Sequence, residues 1–513
     1  MMSAFLLTAK IKVGQKYDTM KKTNLLYPGL MMASLLLFQQ SSCTTTQESR
    51  HPNVIYIYAD DLGYGDLGCY EQQYIRTPHI DRIASEGILF TQHYSGAPVC
   101  APARSSVMTG KHLGNAAVRD NYEIKDSLAF NTGQAPLPKD EVTIGEMLKE
   151  SGYTTAFIGK WGLGSMASEG APNKQGFDFF YGYNDQVHAH NHYPEFLWRN
   201  ETQEFFPGNN VPSVHPRIPR EQEVDSRKEY KKYMGKTNSQ DAMTSEAIQF
   251  IKKNREQPFF LFLAYIIPHK ALQVPDEYLE SYNGVFDEEP YDGKRGYTPH
   301  PRPLSAYAAM ITKMDSDIGK IIQELIDLNI DENTIVMFTS DNGPAVGGGL
   351  DPRFFNSSGG LRGVKGQLYE GGIRVPFVAK WPGKIEPGSR SDLISAHYDL
   401  KATFAELTGR KVEETDGISF LPVLTGRAAE QREHNYLYWE FPGGGGQYAV
   451  RKGEWKGVRR NIKRNPHARW EVYNLDNDPG ELNDLSEEYP HLISEFEEIV
   501  NKRTPSEYPE WNY

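Results

Sequence analysis

The chain has 513 residues, 39% of them hydrophobic, with a formal net charge of −12 and three cysteines. That length and apolar content suffice for one large core and a smaller satellite, and exclude a fibrous or disordered chain. The acidic balance excludes a general affinity for nucleic acid or anionic membrane surfaces, so positive charge that receives an anion must be local. Cys43, Cys69 and Cys100 are too few for a disulfide framework.

In chain order, the first feature is Met20-Lys21-Lys22, followed by a mostly apolar run from Leu25 to Phe38 and then by Gln39, Gln40, Ser41, Ser42 and Cys43. A basic start, an apolar centre too short to span as a stable helix and small residues at its end have the order of a secretory signal. Cys43 stands where bacterial lipoproteins carry their lipid-modified first residue, with Gln40 in place of the usual aliphatic side chain. The expectation is an exported protein, periplasmic or held at the outer membrane or cell surface by a lipid anchor on Cys43. Plain secretion and a cytoplasmic location are the alternatives. Residues 1–50 are thus read as upstream extension, signal and linker.

Four continuous apolar, β-branched-rich runs follow: Asn53 to Ala59, Tyr153 to Ile158, Phe259 to Ile267 and Thr334 to Phe338. Each reads as a strand buried on both faces. Each also delivers polar residues at its C-terminal end: Asp60 and Asp61, Lys160, His269, and Asp341 with Asn342. Between the last two runs, Leu304, Tyr307, Ile311, Met314, Ile318, Ile321, Ile322 and Leu325 fall three or four apart, the period of an amphipathic helix. This alternation predicts an α/β fold, a large, mostly parallel sheet sandwiched by helices, with ligands bound beyond the carboxyl ends of the strands. The polar stretches 200–236 and 281–303 lack periodicity and are predicted to be surface insertions that wall that crevice. A polar connector at 427–434 leads to short strand-like runs at 435–440, 448–451, 455–458 and 470–473 and an amphipathic segment at 491–502. The predicted division is therefore a catalytic domain over 51–430 and a smaller C-terminal domain of antiparallel sheet plus helix over 431–513.

Asp60, Asp61, Asp341 and Asn342 offer only oxygen ligands from two strand ends, a set that suits Ca²⁺ or Mg²⁺ and not Zn²⁺. The alternative is that both pairs merely form turns. Pro102 is suited to open a helix through Met108, which places Cys100 at or just before its N-terminus, where backbone N–H groups favour an anion. Arg104, a turn further, reaches back toward the same group. An unmodified Cys100 thiol would itself be a candidate nucleophile.

Six segments carry a resemblance to a known family: residues 59–66 (Ala-Asp-Asp-Leu-Gly-Tyr-Gly-Asp), 77–81 (Thr-Pro-His-Ile-Asp), 100–110 (beginning Cys-Ala-Pro-Ala-Arg), 159–161 (Gly-Lys-Trp), 340–344 (Ser-Asp-Asn-Gly-Pro) and 365–376 (beginning Lys-Gly-Gln-Leu-Tyr-Glu). With these, the chain resembles a type I sulfatase of the alkaline phosphatase superfamily from Asn53 to its C-terminus. The resemblance implies that Cys100 is oxidised to formylglycine by a sulfatase-maturing enzyme, and that Asp60, Asp61, Asp341 and Asn342 hold Ca²⁺ together with it. It further implies that Lys160, His269 and Lys365 contact the sulfate, with Arg104 balancing charge and His269 protonating the departing oxygen. The substrate it implies is a sulfated carbohydrate, with galactose or N-acetylgalactosamine 4- or 6-sulfate as the candidates.

Two positions depart from the family pattern. Ala103 stands where Ser is common, and Gly162 stands where many members carry a histidine near the formylglycine. Downstream, His188, His190 and His192 alternate, a pattern open to a sugar contact, a transition-metal site or a plain polar loop. His190 is the candidate for the substrate crevice, and Arg119 is a second candidate substrate contact. Tyr193 and Trp198 suit stacking on a sugar or ordinary packing. Rival functions are a formylglycine-dependent phosphodiester or phosphonate monoester hydrolase and a non-catalytic sulfated-glycan-binding protein.

Overall fold

Every residue of the strand Asn53–Asp60 is buried, as its unbroken apolar run predicts. Alternate side chains serve opposite faces: Ile55, Ile57 and Ala59 enter one core, and Val54, Tyr56 and Tyr58 another. In this computed structural model, which describes residues 51–124, 133–411 and 414–513, the strand lies in the middle of an 11-stranded sheet. In spatial order, the strands along its main path begin at Ser389, Ile88, Arg374, Thr334, Asn53, Phe259, Thr154, Phe179, Phe196 and Thr202. The central strands Thr334–Ser340, Asn53–Asp60, Phe259–Pro268, Thr154–Lys160 and Phe179–Tyr183 run parallel. Antiparallel pairing begins on one side at Arg374–Lys380 and on the other at Phe196–Arg199.

Helices cover both faces. Pro78–Ser85, Ser239–Asn254 and Pro303–Asp327 share the first core; Cys100–Thr109, Ile144–Glu150 and Asp399–Leu407 share the second. The long helix begins with Pro303 in its first turn, where a missing N–H costs nothing. Its Ile311, Met314, Ile318 and Ile321 are fully buried, each contributing roughly 1.5–3 kcal/mol of apolar burial. The large mixed, mostly parallel sheet between helices is the predicted architecture.

The C-terminal strands Leu437–Phe441, Gln447–Lys452, Trp455–Arg460 and Trp470–Asn474 form an antiparallel meander. The helix Pro490–Val500 packs Leu492, Phe496 and Val500 into their core. The meander is tied to the large sheet by buried polar contacts. The Trp439 indole N–H donates to Ser95 O at 2.8 Å, and Lys456 lies 2.9 Å from both Glu370 and Glu481. Among the described residues no helix is long and apolar enough to cross a membrane. The signal segment and Cys43 lie outside the described residues.

Candidate active site

The parallel block aligns five strand ends along one edge. Pairing of Ala59 with Ser340 sets Asp60 and Asp61 beside Asp341 and Asn342, Asp60 pairs with Pro268, and Gly159 pairs with Ala264. Side chains from distant parts of the sequence are thus delivered together by strand register alone. The turn is held by the Asp61 N–H, which donates to Asp341 Oδ1 at 3.0 Å.

Above this edge sits the helix Cys100–Thr109. Cys100 is itself the first helical residue and Pro102 the third, not the opening one; it still lies within the first turn, where its missing N–H leaves no bond unmade. The Ala101 N–H donates to Asn121 Oδ1 at 2.8 Å. Cys100 Sγ is buried, 3.4 Å from Asp60 Oδ1 and 3.3 Å from Lys365 Nζ. Lys160 Nζ lies 2.6 Å from Asp60 Oδ2 and Lys365 Nζ 2.6 Å from Asp61 Oδ1. Arg104 donates to Asp341 Oδ2 at 3.0 Å and to Lys160 O at 2.6 Å, and its guanidinium lies over the Tyr58 ring.

His269 directs Nδ1 to Lys270 O at 2.5 Å. A carbonyl only accepts, so Nδ1 carries the proton and Nε2 faces Asp61 Oδ2, 3.6 Å away. Ligand atoms of Asp60, Asp61, Cys100 and His269 all lie within 4.8 Å of one another. The residues predicted for metal and sulfate are therefore brought together.

Burial and charge compete here. Burial works to raise the Asp60 carboxyl, but Lys160, His269, Arg104 and Lys365 together hold it well below the usual carboxylate range. Burial, then the neighbouring Asp60 charge, lift Asp341 to about 7. Burial pushes His269 down to about 3, with Asp61 pulling the other way. The Cys100 thiol is raised to about 12, first by burial and then by Asp60. An unmodified Cys100 is therefore a neutral thiol at pH 7, a weak nucleophile.

Asp61 Oδ2 and Asn342 Oδ1 are buried with no hydrogen-bond partner among the described residues. Orphaned oxygens beside further carboxylates, with no competing thiolate or imidazole majority, fit a hard divalent cation. A cavity of about 230 Å³ opens onto this cluster, lined by Asp61, His269, Lys270, Tyr297, Val346 and Lys365 among others.

His190 stacks on His269, with ring centroids 4.4 Å apart, and its Nδ1 lies 2.8 Å from His215 Nε2. Tyr297 packs against His190, His215 and His269. His215 and Tyr297 belong to the two aperiodic stretches, which do wall the crevice. Neither they nor Lys270, whose Nζ donates to Val346 O at 2.5 Å, carried a sequence signal beyond that. The three alternating histidines diverge: His188 packs against Tyr183 and Phe196, while His192 donates through Nε2 to His269 O. They do not form a metal site. Tyr193 is buried and Trp198 packs against the core, so the packing reading holds for both.

Arg119 is a correction. Its buried guanidinium pairs with Glu440 at 2.9 Å and donates to Gly114 O, Ala116 O and Thr504 O. These partners occupy four of its five N–H donors and, with its burial, make it a tie between the Cys100 segment and the C-terminal meander rather than a substrate contact.

Residues 52–410 match the Sulfatase family, and residues 364–504 match the family described as N-sulphoglucosamine sulphohydrolase, C-terminal. The chain belongs to the sulfatase family. It is a sulfuric ester hydrolase, and that membership implies a metal and a formylglycine in the site just described. This sulfatase is 28% identical over 521 residues to the N-acetylgalactosamine-6-O-sulfatase of Bacteroides thetaiotaomicron, covering 88% of this chain and 93% of that protein. It is 30% identical over 482 residues to the steryl-sulfatase of Rattus norvegicus, covering 81% and 77%. Among solved structures, Ps i-CgsB in complex with k-i-k-neocarrahexaose superposes with a TM-score of 0.71 at 27% identity, covering 90% of this chain and 95% of that one.

Proposed function

We propose that this sulfatase removes sulfate from carbohydrates, with galactose or N-acetylgalactosamine 4- or 6-sulfate as the first candidates. It does so after Cys100 is converted to formylglycine by a maturing enzyme and after export through the N-terminal signal, with Cys43 as the lipid-anchor position. The observation that carries this reading is the convergence of Cys100, Arg104, Lys160, His269 and Lys365 on Asp60, Asp61 and Asp341. The relatives named for N-acetylgalactosamine sulfate support the sugar class.

Asp60, Asp61, Asp341 and Asn342 would hold Ca²⁺, and the residue made from Cys100 would complete the set. Bound there, the cation supplies charge neutralisation at the sulfuryl oxygens, and hydrated formylglycine supplies one hydroxyl for attack on sulfur and a second whose proton loss releases sulfate.

The chain's own residues do the rest. Lys160 and Lys365 bring two ammonium groups to the place where the sulfuryl oxygens gain charge, in a buried setting that strengthens each contact. Arg104 holds Asp341 and the Lys160 carbonyl, which fixes both relative to Cys100. His269 Nδ1 is committed to Lys270 O, leaving Nε2 as the ring atom that passes a proton to the departing sugar oxygen. Burial, reinforced by the Lys365 and Lys160 charges, disfavours the charged ring more than Asp61 favours it, so Nε2 takes up the proton it passes only when a bound sulfate ester adds its negative charge. His190, His215 and Tyr297 stand behind His269, where the sugar ring would lie.

The test is sulfate release from a panel of singly sulfated mono- and disaccharides by Ca²⁺-loaded protein whose Cys100 conversion is verified by peptide mass. Release from one regioisomer is expected. Turnover of matched aryl phosphates or phosphonates with no release from any sulfated sugar would overturn the reading, as would tight glycan binding without turnover.

A further inference from the structure

Gly162 has a φ of 73°, a left-handed backbone conformation that favours glycine, and a Cβ placed there would lie 1.9 Å from Nε2 and 2.8 Å from Cδ of Gln186. The Gln186 carboxamide thus fills the space in front of position 162, where many sulfatases carry an imidazole. Its location follows from the sheet. Gln186 lies three residues past the strand Phe179–Tyr183, whose Tyr183 pairs with Lys160 on the neighbouring parallel strand. The Gly162 N–H donates to Asn184 O at 3.2 Å. The amide therefore stands at the same carboxyl edge as the lysine that touches Asp60.

Gln186 is only 4% exposed, and its backbone N–H is held by Gln134 Oε1 at 3.1 Å. Yet neither Nε2 nor Oε1 has a hydrogen-bond partner among the described residues. Buried amides are normally satisfied; Gln72, in the same protein, donates to both Gly65 O and Phe355 O at 2.8 Å. A glutamine fixed by its backbone but unbonded at its tip, at the strand edge that carries Lys160, has the form of a ligand contact.

We propose that the Gln186 side chain is a substrate-binding residue of this sulfatase, its Nε2–H donating to an oxygen of the sulfate group held by Lys160. This rests on the sulfatase reading above. The amide replaces the imidazole missing at Gly162 as a neutral donor, so the contact does not titrate around neutral pH.

The experiment compares Gln186→Ala and Gln186→Asn with the wild type in two readouts: the melting-temperature shift produced by inorganic sulfate, and KM for a sulfated sugar. Asn keeps an amide but withdraws it by one methylene, so it serves if Ala fails to fold. A hydrogen bond to an anion corresponds to about a tenfold weakening on removal. The expected result is about a tenfold loss of sulfate affinity and a matching rise in KM in either variant, with the melting temperature in the absence of sulfate unchanged or higher. Unchanged sulfate binding and KM, or a lowered melting temperature with wild-type sulfate affinity, would overturn the proposal by making Gln186 a packing residue. The sulfate shift is read without turnover, so a failure here with active wild-type enzyme leaves the sulfatase reading intact. A wild type that releases no sulfate but shows the sulfate shift, lost in the variants, would overturn only that reading.

Discussion

Replacing Arg119 with Met removes a buried cation while keeping much of its apolar stem. Arg119 is 2% exposed and its partner Glu440 fully buried, with the two 2.9 Å apart. Removing one member of a buried pair strands the other charge and costs about 3–5 kcal/mol. Glu440 retains the Tyr438 hydroxyl at 2.8 Å and Arg503 at 3.5 Å, which moves the loss toward the low end of that range. Against this, the carbonyls of Gly114, Ala116 and Thr504 lose a donor. The expected loss is about 3 kcal/mol, read as a fall in the urea unfolding midpoint. KM for the sulfate ester should stay within about twofold, because Arg119 is buried with four of its five N–H donors committed to protein partners. Adding Glu440→Gln should recover part of the loss by removing the stranded charge. A tenfold rise in KM with an unchanged midpoint would refute this and return Arg119 to the substrate.

Three further outcomes follow from the same contacts. His269→Ala should slow sugar sulfates by about 10²–10⁴-fold but aryl sulfates with good leaving groups much less; equal losses on both would remove His269 from proton transfer. Chelation should abolish activity and lower the melting temperature, with Ca²⁺ restoring both, because Asp60, Asp61 and Asp341 otherwise face one another; activity that survives exhaustive chelation would contradict the ligand set. Burial, with the Glu370 charge adding to it, outweighs Lys456 and raises Glu481 from its ordinary 4.5 to about 7. A raised carboxyl stabilises the fold fully below its unfolded pKa and loses that contribution as pH rises through the folded one. Wild type should therefore lose about 3 kcal/mol relative to Glu481→Gln between pH 4.5 and 7.5, and parallel stability curves for the two proteins would contradict the shift.

The centre of the fold was legible in sequence because its strands are buried on both faces, and an uninterrupted apolar run bounded by polar residues, such as Phe259–Pro268, fits an interior parallel strand. The same regularity made the site legible: polar residues that end parallel strands must share an edge. Strands nearer the sheet edges were harder. Ile88–Tyr94 mixes Thr, Gln and His with apolar residues, and Phe196–Arg199 is only four residues long, so neither has a clear period. Arg119 misled because its partner lies 321 residues away, and nothing near it in sequence distinguishes a structural arginine from an anion-binding one. Gln186 was silent for a different reason. Its meaning depends on the direction in which Gly162 lacks a Cβ, a property of backbone geometry and not of spacing.

The central claim is that chemistry runs through the residue made from Cys100. The most direct test measures specific sulfatase activity across preparations in which the converted fraction of Cys100, read by peptide mass, varies from none to nearly all. The account predicts a straight line through the origin, since the unconverted thiol is held neutral by burial and Asp60. Activity that is independent of conversion, or that persists in Cys100→Ala, would contradict it.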